Sequence, residues 1–276
     1  MKYEPIKNAL NKVFRTPFLR KIFYRLIDIL LLRTWHIHKA FKNWLKTAPE
    51  KPKIYDAGSG LGQHSYYMAR KCKTCEILGI DVNKEQIEQS NEFFKKIGWS
   101  DRVKFQTGRL EEYVCPECFD LILNIEVIEH IEDDLKVLEN FAKSLKPGGT
   151  LILSTPSLFA GAHDHDDHHD HGEDGTPGSF VDEHVRDGYD PQELKEKLLK
   201  AGFSKADIKF MYGKFGGLAW VLSMKYPITL LNKSFIFFAI LPFYYVLVMP
   251  FVLILDWLDT ITYNEKGGAL LVNAKK

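Results

Sequence analysis

Asp56, Gly58, Gly60 and Gly62 form the pattern D-x-G-x-G-x-G, and Asp81 follows 25 positions after Asp56. Glycine lets a backbone approach a ligand closely and adopt positive φ. A carboxylate closing the next strand can accept both hydroxyls of a ribose, the use dinucleotide folds make of it. These residues suit a ribose-bearing cofactor. No Gly-Lys-Ser/Thr follows the turn, which argues against a P-loop.

A second group lies further along. Glu126, Glu129 and His130 form E-x-x-E-H, and His184 stands in "DEHVRDGY". A hydroxyl that is to act as a nucleophile must lose its proton or be held by a metal. The residues suit either role: Glu129, His130 and His184 as acid–base groups, or Glu126, Glu129, His130 and His184 as ligands to a divalent metal. The run "HDHDDHHDHGED" reads as a solvated loop, with chelation as its alternative.

Four cysteines fall as two C-x-x-C pairs, Cys72/Cys75 and Cys115/Cys118. No export signal is read in the sequence, so bound metal is favoured over a disulfide framework. A four-thiolate structural zinc is one expectation and four reduced thiols the other. Neither makes these cysteines catalytic.

The elements that must position these groups follow from the apolar pattern. Short apolar runs at 53–56, 76–81, 103–106, 119–124 and 150–156 read as buried strands, and helices are expected over 63–71, 84–97 and from about 133. After Pro156 the chain is irregular until a helix that Asp190 caps and Pro191 opens. Strands at 206–213 and 267–276 complete the series. Strands alternating with helices imply a parallel sheet covered on both faces.

Four segments, "YDAGSGLG", "GIDVN", "LNIEVIEHIEDD" and "LKPGGTLILSTP", together resemble the class I S-adenosylmethionine (SAM)-dependent methyltransferases, over residues 50–213 and the terminal strand. The resemblance implies an α/β, Rossmann-like sheet of seven strands, mostly parallel, with helices on both faces and an antiparallel last strand. It also implies SAM as cofactor. Gly58, Gly60 and Gly62 would line its methionine and ribose side and Asp81 its ribose. Asn124 would begin the wall facing the methyl donor, with Asp56, Val82, Arg109 and Leu110 as further contacts. Arg109 departs from the pattern, because many relatives carry an acid there. The E-x-x-E-H segment is similar to ubiquinone-biosynthesis O-methyltransferases and to methyltransferases of small-RNA 3′ ends, where such residues bind metal. It also occurs in metal-free members. The usual strand order of the family sets the second and fourth strands on either side of the first, about 10 Å apart, near enough for both C-x-x-C loops to share a zinc.

Residues 1–48 hold eleven Lys or Arg against Glu4 and Asp28, among apolar residues at helical spacing. This segment reads as a basic amphipathic helical arm, lying on anionic lipid or packed on the domain at 49–276. The domain carries the His/Asp-rich loop at 162–175 and an apolar insertion at 214–262. Residues 234–255 hold no charge across 22 positions, enough to span a bilayer. The last strand must return to the sheet, so chain entry and exit lie on one side of any membrane. Pro242 and Pro250 are expected to break the run into a shallow helical hairpin; a lid over a pocket or a dimer interface is the alternative.

The combined expectation is a SAM-dependent methyltransferase, peripheral on the cytoplasmic face of a membrane. Its acceptor would be hydrophobic or lipid-linked, of quinone, isoprenoid or glycolipid type, and methylated at oxygen. RNA 2′-O-methylation with a metal-assisted E-x-x-E-H site is one alternative, suggested by that motif and the basic arm and opposed by the apolar character of the longest insertion. A non-catalytic SAM-fold protein is the other. The oligomeric state stays open.

Overall fold

The computed structural model describes residues 16–159, 185–233 and 237–276. Helices α1 (Pro17–Leu30) and α2 (Leu32–Leu45) precede β1 (Lys53–Ala57), α3 (Gln63–Lys71), β2 (Glu76–Asp81), α4 (Lys84–Lys96) and β3 (Val103–Thr107). Then come β4 (Phe119–Ile125), a 3-10 turn at Ile128–His130, α5 (Asp134–Ser144), β5 (Leu145–Pro156), α6 (Pro191–Lys200) and β6 (Lys205–Met211). Two helices, α7 (Lys214–Trp220) and α8 (Tyr226–Lys233), are joined by a π-helical turn, and α9 (Phe237–Ile261) leads to β7 (Ala269–Lys275).

The seven strands lie in the order β3-β2-β1-β4-β5-β7-β6, with β7 antiparallel to both neighbours and the other pairs parallel. The inner strands are continuous apolar runs because helices cover both faces. Strand order reverses between β1 and β4, where Ala57 pairs with Asn124, so the crevice at the carboxyl ends opens there. The expected helix starts form with their caps. Asn83 accepts from Gln86 N at 3.1 Å, Asp133 from Lys136 N at 3.1 Å and Asp190 from Gln192 N at 2.8 Å.

Each face has its own core. Tyr55, Phe119, Phe141, Leu151 and Leu194 fill one; Ile54, Phe93, Phe94, Phe105 and Leu121 fill the other. Tyr24, Ile37 and Phe41 of α1 and α2 belong to the second core, so this part of the basic arm packs on the sheet. Arg20 is wholly buried there.

The cysteines correct the zinc expectation. Cys72 and Cys75 are disulfide-bonded to each other, and so are Cys115 and Cys118. Strand order does place β2 and β4 on either side of β1. However, Cys72 and Cys75 sit in the core of one sheet face, while Cys115 and Cys118 pack against the other. The sheet separates the pairs, and a shared tetrahedral site cannot form across it.

The insertion is a helical hairpin, but the prolines do not make it. Pro242 and Pro250 lie inside α9, which runs unbroken for 25 residues. Proline removes one intrahelical bond while holding φ near the helical value. Packing of α9 back along α7 and the π-helical turn at Val221–Lys225 sustains the helix, and in that turn Tyr244 and Tyr245 donate to Leu222 O at 2.7 Å and Ser223 O at 2.9 Å. At the hairpin's base Asp259 accepts from Gly213 N at 2.9 Å and Gly216 N at 3.0 Å, and its second oxygen meets His36 Nε2 at 3.0 Å. That contact ties α2 to the hairpin. Phe243, Val246, Leu247 and Phe251 point outward at 66–75% exposure, and α9 is long and apolar enough to cross a membrane by length and composition.

Candidate functional site

The turn after β1 takes the shape its glycines allow. Gly58, Gly60 and Gly62 have φ of 80°, 49° and 77°. At Gly58 the space is also closed, since a Cβ would stand 2.3 Å from Val127 Cγ2. Gly58 N and Ser59 N donate to Ile80 O at 2.8 and 3.0 Å, which binds the turn to β2. Asp81 then accepts from Gly60 N and Asn83 N, both at 2.8 Å, so its carboxylate faces the turn.

The remaining expected cofactor contacts divide. Asp56 is buried and accepts from Ser65 Oγ at 2.6 Å, joining β1 to α3; burial pushes its carboxyl up to about 6. Asn124 is buried beneath the turn, where Nδ2 donates to Ala57 O at 2.9 Å. Its Oδ1 and the Ser59 hydroxyl have no partner among the described residues. Two orphaned polar atoms and a glycine-shaped cradle at one place fit a polar ligand such as SAM. Val82 is exposed, and Leu110 lies in the core. Arg109 turns to solvent and pairs with Glu111 at 2.7 Å and Glu112 at 3.7 Å.

The carboxylate group gathers at the same edge. Glu126 has a φ of 54° and Tyr212 a φ of 55°. Left-handed backbone is costly for such residues and clusters at functional sites. Ser154 Oγ donates to Glu126 Oε1 at 2.7 Å, and Arg33 of α2 lies 2.5 Å from Glu126 Oε2. The Tyr212 hydroxyl meets the backbone of Arg33, and burial raises its pKa. Tyr212 immediately precedes the hairpin, whose base therefore borders Glu126.

Glu129 is almost wholly buried and accepts from Thr155 Oγ1 at 3.1 Å. Burial, with the charge of Glu126 second, pushes its carboxyl up to about 7. His130 is exposed, and His184 lies outside the described residues, as does the His/Asp-rich loop at 162–175. Among the described residues no three His, Cys, Asp or Glu side chains converge as metal ligands. Of the expected metal set of Glu126, Glu129, His130 and His184, the last lies outside the described residues; the 3-10 turn sends Glu129 to Thr155, leaves His130 at the surface and gives Glu126 to Arg33.

Sequence reasoning missed the arm's part in the site. Arg20 donates to Gln89 O at 2.8 Å, to Ser90 Oγ at 2.9 Å and to Leu61 O, and Tyr24 also donates to Leu61 O. Both brace the glycine turn from behind. His64, on the first turn of α3, has a buried Nδ1 with no partner among the described residues; burial and Arg33 hold its pKa down at about 4. The i, i+4 spacing of Arg20 and Tyr24 was the one local signal, and nothing local links Arg33 to Glu126.

A family model described as a methyltransferase domain matches residues 50–200. Among curated proteins, a probable chloroplastic tocopherol O-methyltransferase of Oryza sativa subsp. japonica is 34% identical over 110 residues, covering 39% of this chain and 30% of that protein. Phosphoethanolamine N-methyltransferase 1 of Zea mays is 28% identical over 167 residues, covering 60% and 30%. The matched segment thus spans under a third of the length of these relatives. Among solved structures, Haemonchus contortus phosphoethanolamine N-methyltransferase 2 in complex with SAM shares the fold, with a TM-score of 0.55 and 20% identity over 86% of this chain and 52% of that one.

Proposed function

Since this chain belongs to the methyltransferase-domain family of the class I, SAM-dependent type, we propose that it methylates a hydrophobic or lipid-linked acceptor at a membrane surface, at oxygen. The observation that carries the acceptor reading is the position of the hairpin. Its base, at Tyr212 and Gly213, adjoins Arg33 and Glu126, so an apolar surface leads to the polar end of the site. The named relatives include an oxygen acceptor, tocopherol, and a nitrogen acceptor, phosphoethanolamine.

SAM, when bound, supplies a methyl group on a sulfonium, which leaves as a neutral thioether. Asp81 keeps lone pairs free beyond the two given to Gly60 N and Asn83 N, and these would take the ribose hydroxyls. Gly58 to Gly62 leave the backbone open to the methionine side. The chain's further work is alignment and exclusion of water. A hydroxyl acceptor sheds a proton as its oxygen bonds to carbon. Glu129 would take that proton, because burial, with the charge of Glu126 second, sets its carboxyl at about 7. Arg33 fixes Glu126 and balances its charge.

The expected location is the cytoplasmic leaflet, where a segment as basic as 1–48 meets anionic lipid. Calorimetry of SAM binding to wild type and Asp81→Ala tests the cofactor. Transfer of labelled methyl from SAM to a lipid extract, against RNA as competitor, tests the acceptor. Absence of SAM binding by folded wild type overturns the methyltransferase reading; label on RNA alone overturns the lipid one.

A further inference from the structure

A cleft of about 320 Å³ lies where α1, α2 and α3 meet. Arg25 and Asp28 of α1, His38 and Lys42 of α2, and Arg70 and Lys71 of α3 line it. Four permanent cations thus face one acid. Asp28 is already engaged, accepting from Gln63 Nε2 at 3.1 Å and lying 3.5 Å from His38 Nε2. Arg25, Lys42, Arg70 and Lys71 form no ion pair among the described residues. Such a cluster repels itself unless an anion joins it.

The floor points the same way. His38 is stacked on Tyr67, with ring centroids 3.3 Å apart, and Tyr67 is 6% exposed. Tyr67 also lines the cleft, and its buried hydroxyl has no partner among the described residues. A buried hydroxyl left without a partner is costly, and an anionic oxygen would satisfy it.

The borders separate a lipid from a soluble anion. On one side α1 presents Ile22, Leu26 and Ile29, exposed at 40%, 50% and 47%, at the i, i+4, i+7 spacing of one helix face. On the other side a second hollow continues past Lys39 and Lys46 to Thr260, at the foot of the apolar hairpin. Trp257 and Ile261 are exposed there at 53% and 52%. Cations set between two apolar surfaces match the boundary between headgroups and acyl chains.

We propose that this cleft receives the phosphate headgroup of an anionic phospholipid while α1 and the foot of the hairpin rest against its acyl chains. The site rests on the membrane reading above and adds a headgroup preference to it. It also lies on the arm whose Arg20 and Tyr24 brace the glycine turn.

The test is cosedimentation of the full chain with vesicles of phosphatidylcholine alone and of phosphatidylcholine mixed with phosphatidylglycerol, at low ionic strength. Wild type should bind the mixed vesicles about tenfold more tightly or better. Lys42→Glu/Arg70→Glu should lose that preference while keeping wild-type SAM binding, and Arg25→Glu/Lys71→Glu provides an independent pair. Phe243→Ser/Leu247→Ser should weaken binding to both vesicle types. An undiminished phosphatidylglycerol preference in both charge-reversed, folded variants overturns the headgroup site and leaves the membrane reading standing. Wild type that binds neither vesicle overturns both.

Discussion

Arg33 Nη1 stands 2.5 Å from Glu126 Oε2, so a residue of the N-terminal arm completes the polar end of a site otherwise built from strand ends. Both side chains keep a quarter or more of their exposure, and such a pair adds about 1 kcal/mol or less to stability. Arg33→Ala should therefore shift thermal unfolding little yet lower kcat/KM for methyl transfer by about tenfold or more. Arg33→Lys should recover only part of the loss, because a point charge replaces the planar fork. Unchanged kinetics in Arg33→Ala would remove Arg33 from the site.

Glu129 makes a pH prediction with a definite sign. Its folded pKa of about 7 lies above the ordinary glutamate value of 4.5, so the folded state binds the proton more tightly. The associated stability is fully present below pH 4.5 and lost as pH rises to 7. Glu129→Gln keeps the neutral form's shape and should become the more stable protein across that window, by up to about 3 kcal/mol at pH 8. Urea unfolding of both proteins at pH 5 and pH 8 measures it. A difference that does not change with pH would mean Glu129 titrates normally.

If the same carboxyl takes the acceptor's proton, wild-type kcat should rise with pH through an apparent pKa near 7. Glu129→Gln should lose that limb of the profile. A profile identical in both proteins would assign the proton to another group.

Gly58 is the tightest point of the turn. A Cβ would meet Val127 Cγ2 at 2.3 Å, and its φ is 80°. Gly58→Ala should cost roughly 2–4 kcal/mol from clash and strain together. Adding Val127→Ala should return the steric part and leave the backbone part. SAM affinity and chemical unfolding, measured on the single and double variants, separate the two.

Arg20 is the strongest link between arm and domain. It is wholly buried and reaches Tyr24, Leu61 O, Gln89 O and Ser90. Arg20→Met preserves length and leaves these acceptors unsatisfied, with an expected loss of roughly 3 kcal/mol or more. SAM binding should weaken as well, because Leu61 lies in the glycine turn. An unaltered denaturant midpoint would show that the arm is dispensable to the fold.

The parts legible in the sequence were those set by neighbours along the chain. Buried strands show as apolar runs, and the cap expected at Asp190 forms; those at Asn83 and Asp133 were not read from the sequence. Glycines at 58, 60 and 62 foretold a turn that needs positive φ, and Asp81 does face it. The 22-residue uncharged run foretold an apolar insertion that returns to the sheet, which the α7–α9 hairpin does.

The rest depended on contacts between segments far apart in the chain. Which face of the sheet a C-x-x-C loop packs against is decided by the helices beside it, so spacing could not tell two disulfides from one shared metal site. Packing against α7 and the π-helical turn, with Tyr244 and Tyr245 donating to that turn, accompanies the passage of α9 through two prolines that local propensity would make breaks. The 3-10 turn at Ile128–His130 parted residues that sequence placed together, burying Glu129 and exposing His130. Arg33 and Glu126 are 93 positions apart, and only the docking of α2 on the sheet edge makes them partners. By itself the sequence determined the elements and the cofactor turn, because those obey short-range sterics and burial. The tertiary structure alone decided which charges meet, since a Coulomb or hydrogen-bond partner is chosen by distance in space.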